Sequence, residues 1–182
     1  CPVCTSGDIR NRRTRSSAWI TSNDASILID TSTDFRTQAI REGIDRLDAV
    51  LFTHPHADHL HGLDDTRSLT RERPLPLYAS AATEAEIRNR FDYIFRDTQV
   101  GGGKPRVYFE RIADEEVEIA GVRVTPIPVL HGKLPILGFR FGSLAYITDC
   151  SEIPEPSYRL LAGTKTLIIG ALRDRPHATH FN

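Results

Sequence analysis

The feature that most constrains this chain is the passage DAVLFTHPHADHLHGL, residues 48–63. DAVLFT is a continuous apolar run bounded by polar residues, the pattern of a strand buried on both faces, so other layers must cover it on either side. Four histidines and one aspartate then crowd into residues 54–61. Either they are a solvated surface run or they act together. The run is internal, irregular and preceded by a strand, unlike a terminal tag. In extended backbone, side chains at i and i+2 point the same way, so His54 and His56 can reach one ion. Asp58 and His59 follow where the chain must turn toward the next helix, and can reach a neighbouring position. Imidazole with carboxylate suits zinc, manganese or iron and argues against calcium. His61 falls outside this spacing, either as a flanking residue or as one that orients a ligand.

The rest of the chain supplies the layers. SAWIT and SILID read as two short strands around the turn-forming SNDA. In DFRTQAIREGI, residues 34–44, Phe35, Ala39 and Ile40 share a helical face and Gly43 is the stop. LDDTRSL begins a helix after the histidine cluster. LPLYA is a strand, and AATEAEIRNRFDYIF is a helix with Ile87, Phe91 and Ile94 along one face. GGGKPR, residues 101–106, is a loop tip and the candidate for a mobile lid. RVYFE, EVEIA, VRVTPIPVL, LGFRF, SLAYIT and TLIIGAL are further strands, and IAGVRV is a hairpin with Gly at the turn. Many strands with a minority of helices, mixed in order, give an α/β or α+β architecture, sheet packed on sheet with helices outside.

Composition narrows the function classes. The chain has 182 residues, a length for one domain, with 24 acidic residues against 23 basic ones. This balance points to neither a nucleic-acid partner nor a membrane surface. No apolar run reaches the roughly 20 residues that span a bilayer, and no secretory signal is visible. Three cysteines, Cys1, Cys4 and Cys150, make no disulfide framework. They suit a reducing, cytoplasmic location, with Cys1 and Cys4 as a metal pair. Assembly into a homodimer stays open, since no residue pattern reports an interface.

His-x-His-x-Asp-His behind a hydrophobic strand resembles the signature of the metallo-β-lactamase fold hydrolases. The resemblance implies a single four-layer αββα sandwich with the metal site at one edge, between the sheets. It extends along most of the chain. His131, ending VTPIPVLHG, stands where the family has its third ligand, and Asp149, ending LAYITDC, stands where it has the aspartate that bridges two metals. Taken alone, His131 is equally a turn histidine and Asp149 a helix cap. With the first motif, the resemblance implies His54, His56, His131 and Asp149 on one divalent ion, zinc or manganese, and Asp58, His59 and Asp149 on a second. A hydroxide shared by the two cations is then the nucleophile, and Asp58 can also orient it. Asp30, ending SILID, is either a partner that orients a ligand histidine or a plain cap.

Within the family, CPVCTSGDIRNRRTRSSA is similar to the N-terminal segment of the phosphoribosyl cyclic phosphate phosphodiesterase subgroup. In that subgroup a cysteine cluster binds a structural zinc, and Cys1 and Cys4 match two of its cysteines. His180, in RPHATHFN, resembles the subgroup's active-site histidine that is not a ligand and so a general acid, unless it and His177 only cap a loop. Arg10, Arg12, Arg13 and Arg15 are either a solvated face or phosphate-binding groups. The family's last ligand histidine comes from a segment beyond a further helix and strand, after Asn182. The metal site is therefore expected to be incomplete here, and the sandwich to lack pieces at both ends. The resemblance implies a hydrolase of a small or cyclic phosphodiester. Its rivals are a thioester or lactone hydrolase with the same metals and a non-catalytic metal-binding protein.

Overall fold

The run that led the sequence argument forms a strand of only three residues, Ala49–Leu51, yet every one of them is wholly buried. In this computed structural model, which describes residues 1–97, 103–112 and 115–182, it lies at the middle of a five-stranded sheet. That sheet runs β1 (Ala18–Ser22), β2 (Ala25–Ile29), β3 (Ala49–Leu51), β4 (Leu75–Ala79) and β5 (Val107–Arg111). β1 and β2 form an antiparallel hairpin around Asn23, while β2 to β5 are parallel. The second sheet holds β6 (Val117–Ile119), β7 (Val122–His131), β8 (Leu134–Phe141), β9 (Leu144–Ile147) and β10 (Thr166–Ile169) in the order β10-β9-β8-β7-β6. It is antiparallel apart from the β9–β10 pair. Gly121, at φ 78°, turns the expected hairpin between β6 and β7.

Alternation along the central strands sets the layers. Ile27, Ile29, Ala49 and Leu51 face Val124, Phe139 and Tyr146 of the second sheet. Their neighbours Leu28 and Val50 point the other way, into helix-side residues Phe35, Leu63 and Ile87. Burying one such large side chain contributes about 1.5–3 kcal/mol. The outer cover of the first sheet is α1 (Phe35–Glu42), a 3-10 helix Leu63–Thr70, α3 (Ala81–Arg90) and α4 (Asp92–Phe95), with α2 (Ala57–Leu60) between α1 and the 3-10 helix in sequence. The second sheet is covered by α5 (Glu155–Leu160), against β7 and β9. The αββα expectation is thus met.

Several local expectations change. Ile40 is 68% exposed, and Gln38 takes the buried place on α1. The polar residue is stable there because Ser32 Oγ donates to its Oε1, while its Nε2 donates to Thr14 Oγ1 and Arg15 O. The single helix expected over residues 81–95 breaks at Phe91 into α3 and α4, although Ile87, Phe91 and Ile94 are buried as read. LDDTRSL is 3-10 rather than α-helical, and α5 had no counterpart in the reading. Of the expected lid, Gly101 and Gly102 lie outside the described residues. Among the described residues no helix is long and apolar enough to cross a membrane.

Gly62 ends the turn that follows α2 and donates from its N–H to Thr31 O at 3.0 Å. A Cβ there would stand 2.2 Å from Ser32 O and 2.7 Å from Phe35 Cβ. Gly62→Ala should therefore destabilise the fold by about 1–3 kcal/mol, read by denaturant unfolding. Gly7→Ala, where a Cβ meets nothing within 4 Å, should be neutral in the same assay.

Candidate metal centre

The chemistry-bearing residues leave the ends of strands from both sheets. His54 and His56 follow β3, and Asp58 and His59 belong to α2 directly after them. His131 ends β7, where Gly132 at φ 64° turns the chain into β8. Asp149 follows β9 in left-handed backbone, φ 52°. One ligand atom from each of His54, His56, His131 and Asp149 lies within 4.8 Å of the others. This is the set expected for the first ion. The second set also gathers here: His59 Nε2 is 3.3 Å from Asp149 Oδ2 and 3.8 Å from Asp58 Oδ2. His180 reaches the rim, its Nδ1 3.9 Å from Asp149 Oδ1 and its ring 4.6 Å from that of His131. His61 is not in the cluster and stacks edge-on to Phe91. His177 accepts from Thr179 N, a local loop contact.

Hydrogen bonds behind the cluster decide which nitrogens face it. Thr53 Oγ1 donates to Asp30 Oδ2 at 2.8 Å, so it can only accept from His54 Nδ1 at 2.9 Å. That places the proton of His54 on Nδ1 and leaves Nε2 bare toward the cluster. His131 Nδ1 donates to Thr179 O at 2.6 Å, which frees its Nε2 in the same way. His59 Nδ1 donates to Asp30 Oδ2 at 2.8 Å. Asp30 thus orients the His59 ring rather than serving as a cap. The loop between His54 and His56 is held from outside, because Arg90 on α3 donates to Pro55 O at 2.5 Å.

The donor set fits a divalent transition ion. His54 Nε2 and His56 Nδ1 face each other at 2.9 Å, close enough that both lone pairs could turn to one cation. Burial, with the neighbouring charge of His59, holds His54 far below the ordinary imidazole range, and burial also lowers His56. Neutral imidazoles are the metal-binding form. His59 behaves oppositely. Burial works against its charge, yet hydrogen bonds to Asp149 and Asp30 carry it up to about 10. Asp149 is likewise opposed by burial, and the His59 hydrogen bond and charge hold its carboxyl well below the usual range. Burial lowers His180, against the pull of Asp149.

Cys1 and Cys4 are exposed, with Sγ atoms 3.2 Å apart. Among the described residues no further His, Cys, Asp or Glu completes a group of three with them. A structural zinc would have two donors here, half of a tetrahedral set. Thr53, the carbonyl of Thr179 and Arg90 were not singled out in the sequence. Only Thr53 left a trace there, as the residue between the buried strand and the first histidine.

A family model described as a β-lactamase superfamily domain matches residues 25–182. A diphosphatase from the PhnP family is 43% identical, with a TM-score of 0.89, over all of this chain and 70% of that one. Zinc-bound PqqB from Methylobacterium extorquens is 24% identical, with a TM-score of 0.70, over 94% of this chain and 66% of that one, a likeness of fold alone. An octanoyltransferase from Porphyromonas gingivalis is 41% identical over 182 residues, which are 99% of this chain. The chain spans 37% of the length of that curated relative.

At neutral pH the metal-free chain carries a proton on His59 that a cation at Nε2 must displace. Loading should release about one proton per chain from this residue, and affinity should rise about tenfold per pH unit up to the His59 value near 10. Calorimetric titration in buffers of different ionisation enthalpy measures the release, and proton-independent binding would remove His59 from the ligands. Asp30→Ala should weaken metal binding by roughly 10–100-fold, checked by metal content after dialysis.

Proposed function

The chain belongs to the metallo-β-lactamase superfamily and, within it, to the PhnP-like group, and from that premise we propose that it is a metal-dependent hydrolase of a small or cyclic phosphodiester. One observation supports this reading above others. The converging donors His54, His56, His131 and Asp149 sit in a chain that superposes along its whole length on a diphosphatase.

His54, His56, His131 and Asp149 would hold one divalent ion, and Asp58, His59 and Asp149 a second. Zinc or manganese bound there supplies positive charge to a phosphoryl oxygen and makes hydroxide accessible near neutral pH. Asp30 and Thr53 keep the imidazoles of His59 and His54 turned inward, so the donors need little rearrangement. Asp58, whose side chain is 50% exposed beside His59, orients the attacking water by accepting its hydrogen bond. His180 faces the same space from the C-terminal segment and carries a proton to the departing oxygen. Burial disfavours the imidazolium that this task needs, and the charge of Asp149 beside it offsets only part of that.

A second reading has an observation of its own. The Porphyromonas relative is named for octanoyl transfer, which is acyl chemistry, and thioester hydrolysis would use the same metals. The matched part is 37% of that protein. Phosphodiester cleavage remains the preferred reading because the diphosphatase matches this chain from end to end.

Bis(p-nitrophenyl) phosphate and an octanoyl thioester, each with added manganese or zinc, separate the two. Chelator-sensitive turnover of the phosphodiester is expected, and turnover confined to the thioester would reverse the choice. Metal occupancy without turnover of either would favour a non-catalytic protein. His180→Gln should lower kcat by about 10²–10⁴-fold on diesters with alkyl leaving groups. It should change p-nitrophenyl substrates far less, since their leaving group needs no proton. Equal losses on both would remove His180 as the acid.

A further inference from the structure

Four arginines border a cavity that none of the metal-site residues lines. Arg12, Arg13 and Arg15, from the segment before β1, and Arg41 on α1 surround a space of about 540 Å³, with Trp19 and Gln38 in its wall. Arg12, Arg13 and Arg15 belong to the arginine group of the sequence, which the metal centre leaves unused, while its other member, Arg10, pairs with Asp8 and does not line the cavity. Among the described residues the wall contains one carboxylate, Glu42, and Arg41 Nε already engages it at 2.6 Å. Arg12, Arg13 and Arg15 form no ion pair among the described residues. Guanidinium groups that line one cavity without carboxylate partners favour a multiply charged anion, which can accept their paired N–H groups.

The wall is held in place by bonds to α1. Gln38 Nε2 donates to Thr14 Oγ1 at 3.0 Å and to Arg15 O at 2.8 Å. Arg15 N donates to Asp34 Oδ2 at 2.7 Å. Trp19 Nε1 donates to Ser26 Oγ at 2.9 Å, which fixes the indole while 39% of the residue stays exposed. A fixed aromatic surface beside arginines suits a flat ring that carries phosphate. The volume lies within the roughly 300–1,000 Å³ of small-molecule sites. The net charge of −1 supplies no extended field for a nucleic acid.

We propose that this cavity is a second binding site, independent of the metals, for a phosphorylated small molecule of the nucleotide class. The arginines take the phosphates and Trp19 takes the ring. The site does not depend on the hydrolase reading.

Trp19 is the single tryptophan of the chain, so its fluorescence reports the cavity directly. ADP and inorganic pyrophosphate are titrated into the full chain, with and without chelator. A saturable change with ADP is expected in both conditions, with weaker binding of pyrophosphate. The double variant Arg12→Glu with Arg15→Glu should weaken ADP by about tenfold or more. Both side chains are exposed, so its circular dichroism should match the parent. Arg12→Gln with Arg15→Gln, a milder change, should weaken ADP in the same direction. No saturable signal, loss of binding on chelation, or unaltered affinity in both variants would overturn the site. Pyrophosphate binding as tight as ADP would overturn the role of Trp19. A single-stranded oligonucleotide that binds more tightly than ADP would replace the small molecule with a nucleic acid.

Discussion

Asp30 leaves the end of β2 at φ 59°, wholly buried, and its carboxylate accepts from Thr53 N, Thr53 Oγ1 and His59 Nδ1. Burial alone raises such a carboxyl, and these donors are what oppose it. Through Thr53 the same group sets the proton on His54, and through its own bond to His59 it fixes that ring beside Asp149. One carboxylate thus fixes the facing of imidazoles on both sides of the centre. If it were lost, His59 would keep its place in α2 but not its orientation, and Thr53 Oγ1 would be free to donate to His54 instead of accepting.

The backbone around this carboxylate is braced from two directions. Ser17 Oγ donates to Ile29 O and to Asp30 O, so the segment before β1 holds the strand end from one side. Gly62 lies against Thr31 and Ser32 from the other, which brings α2 close enough for His59 to reach Asp30. Ser17, which lines the arginine cavity, thus bonds to the backbone of Asp30, although the cavity and the metal centre share no lining residue among those described.

How much of this was legible in the sequence depends on the range of the interactions. The double burial of β3 and the inward pairing of His54 and His56 follow from short-range periodicity, and DAVLFTHPHADH displays both. His131 and Asp149 could be placed only because their segments resembled a known pattern, since nothing local separates a ligand histidine from a turn histidine. Gln38 displaced Ile40 from the buried face of α1 because Thr14 and Arg15, distant in sequence, together with nearby Ser32 satisfy its amide. Helical spacing carries no information about such partners. Thr179 O, which orients His131, was illegible for the same reason: a backbone carbonyl has no residue-type signature. Asp30 stood between, since its position after a strand was visible while its bond to His59 was not.

The donors come from both halves of the sandwich. His54, His56, Asp58 and His59 follow a strand of the first sheet, while His131 and Asp149 end strands of the second. A cation held by both groups would be a cross-link between layers that otherwise meet mainly through apolar contact, beside a backbone hydrogen bond from Leu137 N to Thr53 O. Its binding energy then adds to the cohesion of the fold by mass action, in proportion to the logarithm of free metal. With such a cation bound, the chain's resistance to unfolding would be to that extent a property of its surroundings, set by the metal supply as well as by the sequence.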